Sequence, residues 1–187
     1  QSIQFALDRL GFEGVLTNDV AFIQSADKVI FPGVGEASSA MKKLRESGLD
    51  KLIPTLKQPV LGICLGMQLM ANKSEEGNVQ GLGWIDADVV KFKVNDKLKY
   101  KIPHTGWNEI MIKKESPLMS GIPNLSEFYF VHSYYFKPHQ TEDVLNETEY
   151  EECFVSSIQR DNIFGVQYHP EKSHDFGELL LKNFINL

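Results

Sequence analysis

Residues 59–70 read PVLGICLGMQLM, and they are the most informative part of the sequence about the fold. Pro59 to Ile63 is a short apolar run of the kind that forms a buried strand. From Cys64 to Met70 the apolar residues recur at helical spacing. No linker separates the two parts, so the sequence predicts a strand that turns directly into a helix. Glycines flank the turn, where they avoid a side-chain clash.

The chain on either side continues this alternation of short apolar strands and helices. Such alternation predicts an α/β fold with an open, mostly parallel sheet flanked by helices. Upstream we predict a helix from Ile3 to Leu10, strands over Gly14–Thr17 and Lys28–Phe31, and a helix with Ala37 and Leu44 on its apolar face that ends near Gly48. Downstream we predict strands over Asp88–Lys93, Asn108–Ile112, Phe128–Phe136, Cys153–Gln159 and Ile163–Gln167, then a closing helix containing Phe176 and Phe184.

Composition limits the function classes. The 187 residues predict a single domain, residues 1–187, and 42% hydrophobic residues indicate a packed core. A net charge of −6 gives no basic surface for nucleic acid or an anionic membrane. Two cysteines, Cys64 and Cys153, are too few for a disulfide framework. With no long apolar run and no signal peptide, the sequence predicts a cytoplasmic protein.

Cys64 is the first candidate catalytic residue. It stands in Gly62-Ile63-Cys64-Leu65-Gly66, a nucleophile elbow with cysteine in place of serine. The start of the following helix favours a thiolate, and its free N–H groups can bind an oxyanion. A buried structural cysteine is the alternative.

His169 and Glu171 follow the last predicted strand. A histidine at that end of a parallel sheet points towards the ligand crevice. Pro170 favours extended backbone at His169, and residues two apart in an extended segment face the same side. Glu171 can therefore reach one nitrogen of the His169 imidazole, while the other imidazole nitrogen faces Cys64, as in a catalytic triad. An incidental surface turn is the alternative.

Three further stretches are candidate site segments. Pro32-Gly33-Val34-Gly35 follows a strand and suits either an oxyanion hole or a plain turn. The segment 103–108 places an aromatic residue and an amide at a glycine turn, and the segment 128–136 is unusually aromatic. His104 and His132 could be metal ligands, but they lack any partner at metal-ligand spacing, so we expect no metal site.

Together these motifs resemble a known family. The order Pro-Gly-Val-Gly, Gly-Ile-Cys-Leu-Gly-Met-Gln and His-Pro-Glu-Lys-Ser is similar to that of the class I, triad-type glutamine amidotransferases, whose fold is flavodoxin-like with additional antiparallel strands. Residues 74–83 and 103–108 resemble one branch, the glutaminase subunits of imidazole glycerol phosphate synthase. The resemblance runs over nearly the whole chain.

The resemblance implies a role for each matching residue and no cofactor. Cys64 would attack the side-chain amide of glutamine, His169 would transfer protons, and Glu171 would orient His169. The oxyanion and the glutamine would be bound by Gly33, Val34, Gly35, Leu65, Gln68, His132, Ser133 and Tyr134. Ammonia would pass to a (β/α)₈-barrel synthase subunit, which would be a heterodimer partner facing Trp107 and Asn108.

The sequence departs from the family pattern at its start. Gln1 to Ile3 corresponds to the beginning of the family's first helix, so we expect about a dozen further residues, a strand and a loop, before Gln1. Thr105 also stands where the family has methionine. Three other readings remain open: a triad glutaminase serving another synthase, a silent binding module of the same fold, and a stand-alone cysteine peptidase or γ-glutamyl hydrolase.

Overall fold

The computed structural model describes residues 2–187. Its helices are α1 (Ser2–Arg9), α2 (Val20–Ser25), α3 (Ala37–Ser47), α4 (Leu49–Leu52), α5 (Leu65–Leu69) and α6 (His174–Ile185). Its strands are β1 (Val29–Gly33), β2 (Val60–Cys64), β3 (Lys73–Ser74), β4 (Val79–Gln80), β5 (Ala87–Lys91), β6 (His104–Glu109), β7 (Met111–Ile112), β8 (Glu127–His132), β9 (Tyr134–Pro138), β10 (Val144–Tyr150), β11 (Glu152–Arg160) and β12 (Ile163–Val166). Among these helices, none combines the length and apolar character needed to cross a bilayer.

The strands form one large sheet and one small one. The large sheet has the order β1-β2-β12-β11-β9-β5-β3-β4, with β10 against β11 and β7 against β10, and β6 pairs with β8 separately. The expected open sheet, flanking helices and antiparallel additions are confirmed. The pairing is mixed rather than mostly parallel: β1, β2 and β12 run parallel, as do β3 and β5, and the other neighbours are antiparallel. Short turns at Glu151 and Asp161 join β10, β11 and β12, and such turns can connect only antiparallel strands.

The element predictions differ from the structure in several places. The strand expected over 108–112 is interrupted at Ile110, between the end of β6 and the start of β7, and these two strands lie in different sheets. The strand expected over 14–17 is irregular chain, in which the side chains of Val15 and Leu16 are largely exposed. The aromatic segment 128–136 is broken at Ser133 into β8 and β9, which lie in different sheets. Strand β10 was not predicted, because it buries Asn146 and Thr148 and so lacks a regular alternation of apolar and polar residues.

The central strands are covered on both faces. In β2, Leu61 and Ile63 join one core cluster with Phe164 and the closing helix, whereas Val60 joins a second cluster with Met67. Successive side chains of a strand point to opposite faces, so β2 has no solvated face and reads as a continuous apolar run. This explains why the strand at 59–63 could be recognised from its composition.

The turn after β2 is packed tightly against β1. A Cβ atom added to Gly66 would lie 1.8 Å from the carbonyl oxygen of Phe31, and one added to Gly33 would lie 2.7 Å from the Gly66 nitrogen. In the β1–β2 register Gly33 is opposite Cys64. The glycines therefore allow the end of β1 to reach the cysteine.

Candidate active site

Cys64 ends β2 and caps α5. Its backbone has φ of +53° and ψ of −112°, a conformation that costs free energy for a residue with a side chain and is concentrated at functional sites. This is the geometry of a nucleophile elbow, in which the side chain is presented at the end of the sheet. The helix that follows has only five residues, so its first free N–H groups matter more than a long helix dipole.

His169 and Glu171 are joined by a 2.8 Å hydrogen bond between Nδ1 and Oε1, and both side chains are buried. The His169 backbone is held on both sides: its N–H donates to the Tyr129 carbonyl, and its carbonyl accepts from the Ser173 hydroxyl. His169 is extended, as expected, but Glu171 lies in a 3₁₀ turn, Pro170–Lys172. This turn, and not a continuous extended segment, brings the Glu171 carboxylate next to Nδ1 of His169.

The triad is electrostatically coupled. Burial lowers the pKa of His169, but interactions with Cys64 and Glu171 outweigh burial and raise this pKa to about 9. No hydrogen bond of standard geometry joins Nε2 to the sulfur. Within residues 2–187, Nε2 and Glu171 Oε2 are buried without a partner. Nε2 is thus the nitrogen available to a reacting group, and catalytic hydrogen bonds often tighten only when substrate binds.

A pocket of about 330 Å³ surrounds the cysteine, a volume typical of small-molecule sites. Ten residues singled out from the sequence line it: Gly33, Val34, Gly35, Cys64, Leu65, Gln68, His132, Ser133, Tyr134 and His169. A larger depression of about 730 Å³ lies along residues 112–120, and its lining contains neither cysteine nor histidine.

Glu76 and Lys172 also line the pocket, although sequence reasoning did not place them there. Burial raises the pKa of Glu76, the backbone N–H of Ala37 opposes this shift, and Glu36 adds to it. Both residues stand in motifs that carried the family resemblance, residues 74–83 and His-Pro-Glu-Lys-Ser, but no binding role was assigned to them. They place one negative and one positive group at the pocket, a combination suited to a zwitterionic ligand.

The side chains expected to bind substrate are partly engaged within the chain. Gln68 donates from Nε2 to the Tyr134 carbonyl and to Gln167 Oε1, each at 2.8 Å. The His132 ring uses Nδ1 towards the Tyr134 carbonyl, at 2.8 Å, and Nε2 towards His104 Nδ1, at 3.1 Å. The atoms left to a ligand are therefore Gln68 Oε1 and the groups of Ser133 and Tyr134, whereas the His132 ring is occupied.

The two buried histidines remain neutral. Burial lowers the pKa of His104 from 6.5 to about 4 and is also the largest cause lowering that of His132 to about 3. In the unfolded chain both rings take up protons near pH 6.5. Acidification from pH 6.5 towards 4 therefore favours the unfolded state, by up to about 1.4 kcal/mol per pH unit for each ring.

We expect His104→Phe to reduce this acid sensitivity. Phenylalanine can keep the stacking of His104 between Phe130 and Tyr150, while one group that must stay neutral is removed. Free energies of unfolding measured in denaturant at pH 6.5 and 5 should differ less in the variant, by about 1 kcal/mol or more. An equal difference in both proteins would contradict the assignment.

The two residues predicted to face a partner differ in exposure. Trp107 is 43% exposed and stacks on His174, with ring centroids 4.9 Å apart and planes within 5°. Asn108 directs its amide inward, donating to the Glu149 carbonyl at 2.9 Å and approaching His104 Nε2 at 3.3 Å. Trp107 is free to meet another protein, whereas the Asn108 amide supports the fold. Their role in partner binding stays a prediction.

Comparison with known proteins places this site in a family. The family model described as glutamine amidotransferase class-I matches residues 15–187. The imidazole glycerol phosphate synthase subunit HisH 2 of Methanococcus maripaludis is 47% identical over 98% of this chain and 92% of its own length, and the subunit HisH of Bacteroides fragilis is 50% identical over 100% and 93%. The crystal structure of a putative GMP synthase subunit from Thermoplasma acidophilum shares the fold, with a TM-score of 0.76 and 22% identity over 100% of this chain and 86% of that one. The chain therefore belongs to the class-I glutamine amidotransferase family.

Proposed function

We propose that this chain hydrolyses L-glutamine to glutamate and ammonia. The observation that carries the proposal is the elbow cysteine sharing one pocket with a buried His169–Glu171 pair. Cys64 sulfur, as thiolate, attacks the side-chain amide carbon, and the carbonyl oxygen takes up the negative charge. The N–H of Leu65 and one from the Gly33–Gly35 segment bind that oxygen.

His169 then donates and accepts the protons that the reaction requires. Its imidazolium donates from Nε2 to the departing nitrogen, so that the C–N bond breaks, ammonia leaves and a γ-glutamyl thioester remains. The neutral imidazole next removes a proton from water, whose oxygen attacks the thioester. Glutamate is released, and the proton returns to the Cys64–His169 pair. Glu171 holds Nδ1 throughout, because a buried carboxylate stabilises the imidazolium.

Glutamine would be held through its α-carbon substituents. Gln68 Oε1 and the Glu76 carboxylate suit the α-ammonium group, and Lys172 suits the α-carboxylate. Ser133 and Tyr134 complete this end of the pocket. Held in this way, a bound glutamine would present its side-chain amide to the Cys64 sulfur in the same pocket.

We further propose that the ammonia serves a synthase subunit. Relatives about half identical over nearly the full length are named subunits of imidazole glycerol phosphate synthase, which supports a heterodimer acting in histidine biosynthesis. The partner would be a (β/α)₈ barrel that uses the ammonia to make imidazole glycerol phosphate and an aminoimidazole carboxamide ribotide. Trp107 lies on the surface proposed to meet it. A single domain spanning residues 1–187 and a cytoplasmic location complete the proposal.

Glutamate release, measured with and without the purified synthase subunit, tests both the proposed glutamine hydrolysis and the proposed role as a synthase subunit. We expect weak turnover by the chain alone and at least about tenfold faster turnover in the complex, as for coupled sites. Fast turnover that is indifferent to the partner would contradict the subunit role. Absence of glutamate release in both samples would contradict the hydrolytic role.

A further inference from the structure

The direction of the hydrogen bonds beside Cys64 can be deduced from one carbonyl group. The Tyr134 carbonyl oxygen can only accept, so the Gln68 atom 2.8 Å from it is the amide nitrogen. The same nitrogen lies 2.8 Å from the Gln167 side chain, which must therefore present its oxygen there. The Gln167 nitrogen is then left to face the Cys64 sulfur, at 3.7 Å. Neither amide can be reversed without setting two donors or two acceptors against each other.

Gln167 is well placed to hold this position. It directly follows β12, its side chain is completely buried, and its backbone N–H donates to the Ser156 carbonyl at 2.9 Å. A buried amide with both ends hydrogen-bonded has little freedom to rotate. Gln167 is not one of the three proposed triad residues, and its side-chain hydrogen bonds go to Gln68 and to the Cys64 sulfur.

We infer that Gln167 is a further catalytic residue, which donates an N–H to the Cys64 sulfur and fixes the amide of Gln68. An N–H donor stabilises negative charge on sulfur, and a hydrogen bond to a charged group is stronger than one between neutral groups. The second contact keeps Nε2 of Gln68 turned inward, so that its carbonyl oxygen faces the pocket. The Gln167 side chain thereby stabilises the Cys64 thiolate and also orients the Gln68 oxygen that would bind substrate. This inference depends on the proposed glutamine hydrolysis only for the identity of the substrate that Gln68 would bind.

Alkylation of Cys64 by iodoacetamide tests the first contact without glutamine or a partner. In Gln167→Met the donor is lost, and we expect alkylation at pH 7 to slow by about tenfold or more, with its pH profile moved to higher pH. Gln167→Glu keeps an acceptor for Gln68 and removes the donor, so it should slow alkylation as well. Gln159→Met, on β11, is the matched control and should react like the wild type. Wild-type rates in both Gln167 variants would overturn the inference.

Activity and spectroscopy separate this role from a structural one. In the complex with the synthase subunit, Gln167→Met should lower kcat and raise the KM for glutamine, because both contacts are lost. The side-chain amide of Gln167 should also shift in ¹⁵N–¹H spectra when Cys64→Ala removes the sulfur, a measurement that leaves Gln167 intact. If the chain proved unable to hydrolyse glutamine, the alkylation and spectroscopic results would still stand. An amide signal unchanged by Cys64→Ala would overturn the contact itself.

Discussion

Cys64→Ala should abolish glutamine hydrolysis and leave the fold intact. Alanine has no nucleophilic atom, and no other cysteine among the described residues can replace it, since Cys153 lies exposed on β11. We expect kcat for glutamate release in the complex to fall by at least about 10⁴-fold. The synthase reaction supplied with free ammonia should proceed at the wild-type rate, because the substitution should leave binding to the synthase subunit unchanged.

Cys153→Ala is the matched control, and it should retain glutamine hydrolysis. Circular dichroism and the midpoint of thermal unfolding would show that Cys64→Ala folds. An active Cys64→Ala protein would contradict the assignment of the nucleophile. Loss of the ammonia-dependent reaction as well would instead indicate that the cysteine supports assembly.

Glu171→Gln should lower kcat by about 10³- to 10⁴-fold with a smaller effect on the KM for glutamine. The carboxylate is one of the causes that raise the pKa of His169 to about 9, and it sets which ring nitrogen carries the proton. A neutral amide can donate an N–H to Nδ1 of His169. The neutral ring would then carry its proton on Nε2, where it could no longer accept a proton from water. The pKa of His169 should fall in the variant.

Steady-state rates over pH 6–10 would measure this effect. In the wild type the imidazolium needed for ammonia departure persists until pH rises through about 9, whereas in the variant it should be lost at lower pH. Glu178→Gln is a suitable control, because Glu178 pairs with Arg9 at the surface and lies outside the pocket. A rate within about tenfold of the wild type would contradict the orienting role.

Much of the site could be recognised from short motifs, because each one needs few residues to produce its geometry. The elbow depends on Gly62, Cys64 and Gly66 alone, and the Gly66 contact with Phe31 shows why a larger residue would not fit. The Gly33–Gly35 segment, which is proposed to bind the oxyanion, lies at the end of β1, and β1 pairs directly with β2. Local sequence was also sufficient for β2, whose apolar run is buried on both faces.

Long-range pairing was beyond local reasoning. Strand β10 escaped prediction because its buried residues Asn146 and Thr148 are polar and hydrogen-bond to side chains of other strands and segments, Tyr168 and Ser156. Sequence pattern likewise could not separate β8 from β9, since only their different sheet partners distinguish them. Such contacts are set by the packed sheet and not by the propensity of the segment.

From the sequence alone the family could be recognised and a nucleophile and its base proposed, since these depend on residue types in a local order. Which polar atoms remain free depends on how the chain packs. In the folded chain the His132 ring hydrogen-bonds to His104, and the Asn108 amide points inward to the Glu149 carbonyl. The Gln167 amide lies against the Cys64 sulfur. Most buried donors and acceptors are paired in a folded protein, and the partners of these side chains come from other parts of the chain.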